Sequence, residues 1–389
     1  MPATDRPAMT GALRFFADIV QLTHLLEWQG TALSAAQQGQ RSYIGAGLEL
    51  VAITQKSAVC LAQAQTDWVR ASIEGLYEVI LKTDKLQEQP GALDDDVAMK
   101  RVMTAGGIAD ASTSGKPLLF VIQTVDVDGQ RLRVGVRPGV PGRAPLLLFN
   151  GIGANLELLE PLAAALAGVE MIIFDVPGVG GSPTSRWPYR FSGLARMANR
   201  LLSTLGYEGP VDVLGVSWGG GVAQQFAFQY PQRCRRLILA ATSPGALMVP
   251  GRLSAITKLA SPRRYLDPQY FNRVGAELYG GAFRHQPELL REHGQHMRSP
   301  RGLGYFYQML AGVGWTSLPW LPWLRQRTLV LAGSDDPIVP VINAKILAQL
   351  IRKSKLHVVD DGHLFLVTRA VEVAPVIRQF LSDDSADSD

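Results

Sequence analysis

Two kinds of hydrophobic pattern divide the chain. Over residues 10–83, apolar side chains recur at intervals of three and four, as in Phe15, Ile19 and Leu22, and proline is absent. This period is typical of amphipathic α-helices, because it places apolar side chains on one face. The pattern predicts an α-helical N-terminal extension over residues 1–85. Its apolar faces would either pack together as a small bundle or dock on a surface or on another copy of the chain.

The pattern changes after a stretch without apolar periodicity. Residues 86–116 are dominated by Gly, Asp, Ser and Ala, a composition typical of linkers. After them, short β-rich runs alternate with helical patterns near 156–167, 191–205, 219–230 and 341–352. The runs are LLFVIQTVDV, RLRVGVRPG, APLLLFNG, VEMIIFDVPG, VDVLGVSWG, RRLILAATSPG, QRTLVLAGSDD and SKLHVVDDG.

This alternation predicts a mostly parallel α/β sheet over residues 117–383. The first two runs flank Asp128–Gly129, a pair that favours an antiparallel hairpin. The other six are continuous apolar runs, as expected of strands buried on both faces. A C-terminal helix is expected at about 367–382, and the acidic residues 384–389 read as a solvated tail.

One long segment interrupts the alternation between the sixth and seventh strands. Residues 245–325, called the insert below, are about twice as rich in aromatic side chains as the whole chain, which is 8% aromatic. A segment of this length inside a compact domain must carry structure of its own. We therefore expect a mainly helical insert whose aromatic residues form its core, with a few lining a pocket.

Composition narrows the classes of function only slightly. The chain has 389 residues, 47% of them hydrophobic, and a formal net charge of +4. So small and dispersed an excess does not suggest a nucleic-acid partner. No apolar run is long enough to predict a membrane span. The two cysteines, Cys60 and Cys234, form no disulfide framework and fit a reducing cytoplasm.

A serine occupies an unusual position at the end of one predicted strand. Gly215-Val-Ser217-Trp-Gly219 matches the pattern G-x-S-x-G. Between a buried strand and a helix, this spacing forces a sharp turn that exposes the serine hydroxyl. Glycines two residues before and after it let the strand and the helix pass closely. The pattern predicts that Ser217 is a nucleophile.

A serine nucleophile needs a base, and the base needs an acid that orients it. The acid is expected after a later strand, in LVLAGSDDPIVP, where Asp335 and Asp336 are both candidates. Asp336 is favoured because it directly precedes the turn proline Pro337, whereas Asp335 would cap or orient the turn. His363 is the favoured base because it follows the last strand directly. The other histidines, which read as structural or surface residues, are His24, His285, His293, His296 and His357.

The oxyanion donors are expected on two loops beside the serine. The amide of Trp218 lies at the start of the following helix, and the amide of Ile152 lies in FNGIGANLEL after the third strand. Gly151 and Gly153 permit close approach of that backbone. A plain glycine turn is the alternative reading of this loop. No His/Cys cluster has metal-ligand spacing and no phosphate-binding loop is present in the sequence, so we expect neither a metal nor a cofactor.

Residues 119–383 resemble the intracellular depolymerases of medium-chain-length polyhydroxyalkanoates. The segments that carry the resemblance are FNGIGANLEL, FDVPGVGGS, GVSWGG, MVPG, ASPRRY, YGGAFR, AGVGWTS, LVLAGSDDPIVP and DDGHLFLVTRA. The resemblance implies an α/β-hydrolase fold, with the insert as a lid and the family's triad on Ser217, Asp336 and His363. It also implies cytoplasmic storage granules as the partner, with release of 3-hydroxy acids from the polyester.

The extension departs from that family and weakly resembles phasins, the granule coat proteins. It would tether the hydrolase to the granule, bind granule-associated proteins or self-associate through residues 1–85. Two other functions remain open at this stage. One is a hydrolase of a small soluble ester or lactone, and the other is a non-catalytic granule-coat protein built on a hydrolase scaffold.

Overall fold

The computed structural model of the protein describes residues 119–260, 268–286, 288–290 and 303–383. The predicted helical extension, the linker and the acidic tail lie outside the described residues. So do Cys60, His24, His293 and His296.

An eight-stranded sheet forms the centre of the described region. Its strands are β1 (Val121–Val127), β2 (Gln130–Arg137), β3 (Leu146–Phe149), β4 (Met171–Phe174), β5 (Val211–Val216), β6 (Cys234–Ala240), β7 (Arg327–Gly333) and β8 (Ser354–Val359). They lie in the order β1-β2-β4-β3-β5-β6-β7-β8. The pairs β1–β2 and β2–β4 are antiparallel, and the remaining pairs are parallel. The predicted mostly parallel sheet is confirmed.

The hairpin turn lies where its sequence predicted. Asp128 and Gly129 both have positive φ angles, 54° and 82°, between β1 and β2. Two successive residues with positive φ match the right-handed twist of the strands. Gly129 adopts this conformation without a steric penalty, and its amide donates to Asp126 Oδ1 at 2.8 Å.

Burial follows the apolar runs in the middle of the sheet but not at its edge. Every residue of β3, β4 and β5 is buried. The expectation that β8 would also be buried on both faces is wrong. Leu356 is 37% and Val358 43% exposed, because β8 is an edge strand whose one neighbour in the sheet is β7. Cys234 is a buried residue of β6.

Helices cover the sheet and connect its parallel strands. They are α1 (Glu160–Ala165), α2 (Phe191–Thr204), α3 (Trp218–Gln229), α4 (Leu253–Ala260), α5 (Pro268–Tyr279), α6 (Gly304–Gly312), α7 (Val341–Leu350), α8 (Phe365–Thr368) and α9 (Ala370–Ser382). Two predicted helices are each split. A 3₁₀ turn at Leu156–Leu159 precedes α1, and Arg369, with φ −120°, separates α8 from α9. Within the described ranges no helix is long and apolar enough to cross a membrane.

The insert between β6 and β7 contributes α4, α5 and α6, with 3₁₀ turns at Gly281–Arg284 and Leu321–Trp323. Its aromatic residues Phe271, Tyr279 and Phe283 form a buried cluster with side chains from the loops after β7 and β8. Ile338 and Leu364 are the partners that those loops supply. The insert therefore packs directly on the two loops that carry the predicted acid and base.

Candidate active site

Three strands of the sheet end just before the predicted site residues. Ser217 follows β5, Asp336 lies just beyond β7, and His363 lies just beyond β8. Parallel strands present their carboxyl ends at one edge of a sheet, so residues distant in sequence meet there. The structure brings these three side chains together at that edge.

Ser217 sits in a strained backbone conformation. Its φ and ψ are 54° and −120°, a combination that residues with a Cβ rarely adopt. Hydrogen bonds on both sides hold it there. Its amide donates to Ala240 O at 2.8 Å, and Thr242 Oγ1 donates to Ser217 O at 2.7 Å. The end of β6 therefore stabilises the turn that raises the serine above the sheet.

Glycines around Ser217 allow the close packing that this turn requires. A Cβ placed on Gly215 would lie 2.5 Å from the Cβ of Ala223 in α3. A Cβ placed on Gly219 would lie 2.3 Å from Phe149 O and 2.4 Å from Asn150 O. Heavy atoms at these distances would overlap sterically. A side chain at Gly215 would therefore push α3 away from β5, and one at Gly219 would push it away from the end of β3 and the loop that follows.

The three side chains form a continuous hydrogen-bonded chain. His363 Nε2 lies 3.0 Å from Ser217 Oγ, and His363 Nδ1 lies 2.7 Å from Asp336 Oδ2. The other carboxylate oxygen, Asp336 Oδ1, accepts from the amides of Ile338 and Val339 at 2.8 and 2.9 Å. The His363 and Asp336 side chains are 5% and 0% exposed. The carboxylate is thus held by three donors in a site shielded from water.

The structure separates the two acidic candidates. Asp335 does not contact His363 in any described hydrogen bond. Its Oδ2 accepts from the Gly281 amide at 2.9 Å and lies 3.0 Å from Arg284 Nη1. Asp335 was expected to cap or orient its turn, and in the structure its carboxylate anchors the insert. Of the other described histidines, His357 is half-buried in β8, and His285 ends the 3₁₀ turn at Gly281–Arg284.

The loop after β3 passes beside the serine. A Cβ on Gly151 would lie 3.8 Å from Ser217 Cβ. The Gly151 amide donates to Asn150 Oδ1 at 2.9 Å, and the Ala154 amide to Gly151 O at 3.2 Å. The Gly153 amide donates to Gln308 Oε1 at 2.8 Å. Of the two residues predicted to donate to an oxyanion, Ile152 lies on this loop, and Trp218 begins α3 directly after Ser217.

The YGGAFR segment of the insert, for which no role in the site was predicted, positions His363. The His363 amide donates to Tyr279 O at 2.7 Å. A Cβ on Gly362 would lie 2.0 Å from the same carbonyl oxygen, and one on Gly281 would lie 1.9 Å from Asp361 Oδ1. Asp361 also accepts from the Ala282 amide at 2.7 Å. The adjacent glycines in YGGAFR are the sequence signal that could have indicated such a close backbone approach.

A buried ionic network supports the loop after β3 from the other side. Arg133 binds both carboxylate oxygens of Glu157, at 2.6 and 3.1 Å, and Asp175 Oδ2 at 3.1 Å. Asp175 also accepts from the amides of Leu156 and Gly181, each at 2.8 Å. Burial raises the pKa of Asp175 above its ordinary value, while these donors act in the opposite direction. Charges this far from each other in sequence give no pattern that identifies them as partners.

Comparisons with known proteins agree with this geometry. A family model for the alpha/beta hydrolase fold matches residues 144–370. A poly(3-hydroxyalkanoate) depolymerase of Ectopseudomonas oleovorans is 54% identical over 269 residues, which cover 69% of this chain and 95% of that protein. The chain therefore belongs to the α/β hydrolases and, among them, to the family of that depolymerase.

More distant relatives share the architecture. A 2-hydroxymuconate semialdehyde hydrolase of a Pseudomonas species is 29% identical over 260 residues, which cover 62% of this chain and 88% of that protein. The crystal structure of an enol-lactonase from Burkholderia xenovorans superimposes with a TM-score of 0.59 at 22% identity, over 67% of this chain and all of that one. The latter likeness concerns the fold alone.

The packing at Gly219 generates a direct prediction. Gly219→Ala should lower stability by about 1–3 kcal/mol and reduce ester hydrolysis, because the added methyl group displaces the loop after β3. Gly193→Ala in α2 is the matched control, since a Cβ there meets no atom within 4 Å. It should stabilise the protein by about 0.5–1 kcal/mol and leave hydrolysis unchanged. Equal behaviour of the two variants in urea unfolding and esterase assays would contradict this account.

Proposed function

We propose that this protein is a serine hydrolase that cleaves the ester bonds of poly(3-hydroxyalkanoate) and releases 3-hydroxy acids. The chain Asp336–His363–Ser217, with contacts of 2.7 and 3.0 Å, is the observation that carries the chemistry. The relative that is 54% identical, named as a poly(3-hydroxyalkanoate) depolymerase, supports the substrate. A non-catalytic coat protein would have no need of this hydrogen-bonded serine, histidine and aspartate.

The first half of the reaction acylates the serine. His363 Nε2 accepts the Ser217 proton as Oγ attacks the ester carbonyl, and Asp336 holds the ring and stabilises its positive charge. The tetrahedral intermediate then collapses, the bond from the carbonyl carbon to the ester oxygen breaks, and His363 delivers its proton to the departing alcohol. In the second half, His363 activates water, which attacks the acyl group and frees Ser217.

We assign the oxyanion donors to the amides of Ile152 and Trp218. Each such donor contributes about 3 kcal/mol to stabilising the transition state. The loop that carries Ile152 passes beside the serine, since a Cβ on Gly151 would lie 3.8 Å from Ser217 Cβ, and this proximity supports Ile152 as the donor from that loop. Trp218 begins α3, so its amide lies at the positive end of a helix dipole.

We propose medium-chain-length 3-hydroxyacyl units as the substrate and the surface of cytoplasmic storage granules as the place of action. The segments shared with depolymerases of that class support the first part. An insert with exposed Trp323 and Leu303, 66% and 51% exposed, supports contact with a water-insoluble polymer. No nucleic acid, metal or cofactor takes part in this proposal.

Release of soluble 3-hydroxy acids from two purified polyesters, one with short and one with medium side chains, tests this function. The intact protein should degrade the medium-chain polymer, and Ser217→Ala should slow release by about 10³-fold or more, because the nucleophile is lost. Ser203→Ala, an exposed serine of α2, is the matched control and should retain full activity. Serine-dependent cleavage of small p-nitrophenyl esters without polymer release would instead indicate a small-ester or lactone hydrolase.

We also propose a division of labour along the chain. Residues 117–383 form the hydrolase domain, residues 1–85 a phasin-like extension, 86–116 a linker and 384–389 a tail. The match to the depolymerase takes up 95% of that protein with 269 residues of this chain's 389. The remainder of this chain, 389 less 269 or 120 residues, is close to the 116 residues of the extension and linker together, which supports a separate role in granule binding or self-association.

Removal of residues 1–116 should reduce the fraction of protein that sediments with polyester granules. Hydrolysis of soluble esters should stay within about twofold of the full chain, because the proposed catalytic residues all lie beyond the deletion. Soluble activity also serves as the control for folding of the shortened protein. Unchanged sedimentation of a fully active truncated protein would rule out the tethering role.

A further inference from the structure

One buried residue of the insert contacts both segments that we assign to the oxyanion hole. Gln308 lies in α6 and is 1% exposed. Its Oε1 accepts from the Gly153 amide at 2.8 Å, across 155 positions of sequence. Gly153 follows Ile152 directly and has a φ of 71°. The direction of the backbone amides in this turn therefore depends on the contacts that hold Gly153 in place. Gln308 is therefore placed to fix the loop that presents the Ile152 amide.

The same residue reaches the other side of the site through its backbone. Trp218 Nε1 donates to Gln308 O at 2.9 Å. The Trp218 ring also packs edge-to-face on Phe191, with 5.1 Å between centroids. Since Trp218 directly follows Ser217, this bond anchors the first residue of α3. One residue of the insert thus restrains the neighbour of one proposed oxyanion donor, Ile152, and the side chain of the other, Trp218.

The remaining polar atom of Gln308 makes it possible to distinguish a positioning role from simple filling of the core by mutation. Its Nε2 is buried and has no hydrogen-bond partner among the described residues. An unpaired buried donor lowers stability, and methionine, similar in shape, would remove it. If Gln308 only filled space, Gln308→Met would be neutral or stabilising. If its Oε1 holds Gly153, the same change lowers catalysis. The cost of leaving the buried Gly153 amide without its acceptor is then offset by removal of the unpaired Nε2, so stability changes little.

We propose that Gln308 is a positioning residue that sets the oxyanion hole from the insert, through Gly153 on one side and Trp218 on the other. This inference rests on the proposed acyl transfer at Ser217. It adds that the insert helps to form the catalytic machinery and does more than cover it. Because an oxyanion develops only after attack, loss of this restraint acts on the transition state and not on binding of the ester.

Gln308→Met tests the proposal with a soluble p-nitrophenyl ester and a trifluoromethyl ketone, which adds to the serine and carries an oxyanion. We expect kcat to fall about tenfold or more, KM to change less than twofold, and affinity for the ketone to weaken by the same factor as kcat. The melting temperature should change little. Met309→Leu, on the next residue of α6, is the matched control and should behave like the parent protein.

Trp218→Phe provides a second variant that preserves ring packing on Phe191 but removes the indole donor to Gln308. It should lower kcat in the same manner, by about threefold to tenfold, with KM unchanged. Equal kcat and ketone affinity in Gln308→Met and Met309→Leu would overturn the proposal. So would a loss in kcat that appears with an equal rise in KM.

These measurements remain informative if the polyester is not the substrate, because they use soluble esters alone. Failure of the proposed function would appear as absent release from polymer, or as activity that survives Ser217→Ala. Failure of the role of Gln308 would appear while Ser217 remains essential. The two failures are therefore distinguishable.

Discussion

The sharp turn at Ser217 is the constraint on which the rest of the site depends. Its positive φ lifts the hydroxyl out of the sheet edge, and this conformation is unfavourable for a residue with a Cβ. Bonds from Ala240 and Thr242 on β6 and its following loop stabilise it. Glycines at 215 and 219 give the neighbouring backbones room to close around it. The backbone strain at Ser217 is thus offset by hydrogen bonds and packing on both sides, and its hydroxyl is held in a fixed position.

The insert contributes structure to this site at two separate places. Near its middle, Tyr279 O accepts the His363 amide, while Asp335 and Asp361 bind the amides of Gly281 and Ala282. Further along, α6 reaches the loop after β3 through Gln308. His363 and the loop after β3 are consequently held by a segment whose predicted role was that of a lid. A change in the insert can therefore alter catalytic geometry as well as access to substrate.

Much of this arrangement could be predicted from the chain alone, because local rules govern it. Strand runs, the Asp128–Gly129 hairpin and the G-x-S-x-G turn each depend on a few adjacent residues. The order of strand ends then leads to Asp336 and His363. β8 was mistaken for a buried strand, since an apolar run does not reveal which strand lies at the edge of a sheet. Gln308 was not found, because its partners are more than 80 positions away and no periodic pattern connects them.

The most direct measurement is the stoichiometry and location of covalent reaction with diethyl p-nitrophenyl phosphate. A serine nucleophile displaces p-nitrophenolate and retains the diethylphosphoryl group. If Ser217 is the nucleophile, each chain should release one equivalent of p-nitrophenolate, and ester hydrolysis should be lost in proportion. The phosphoryl group should then be found on the peptide that contains Ser217. Complete inactivation with the group on another residue, or full reaction of Ser217 with activity retained, would contradict it.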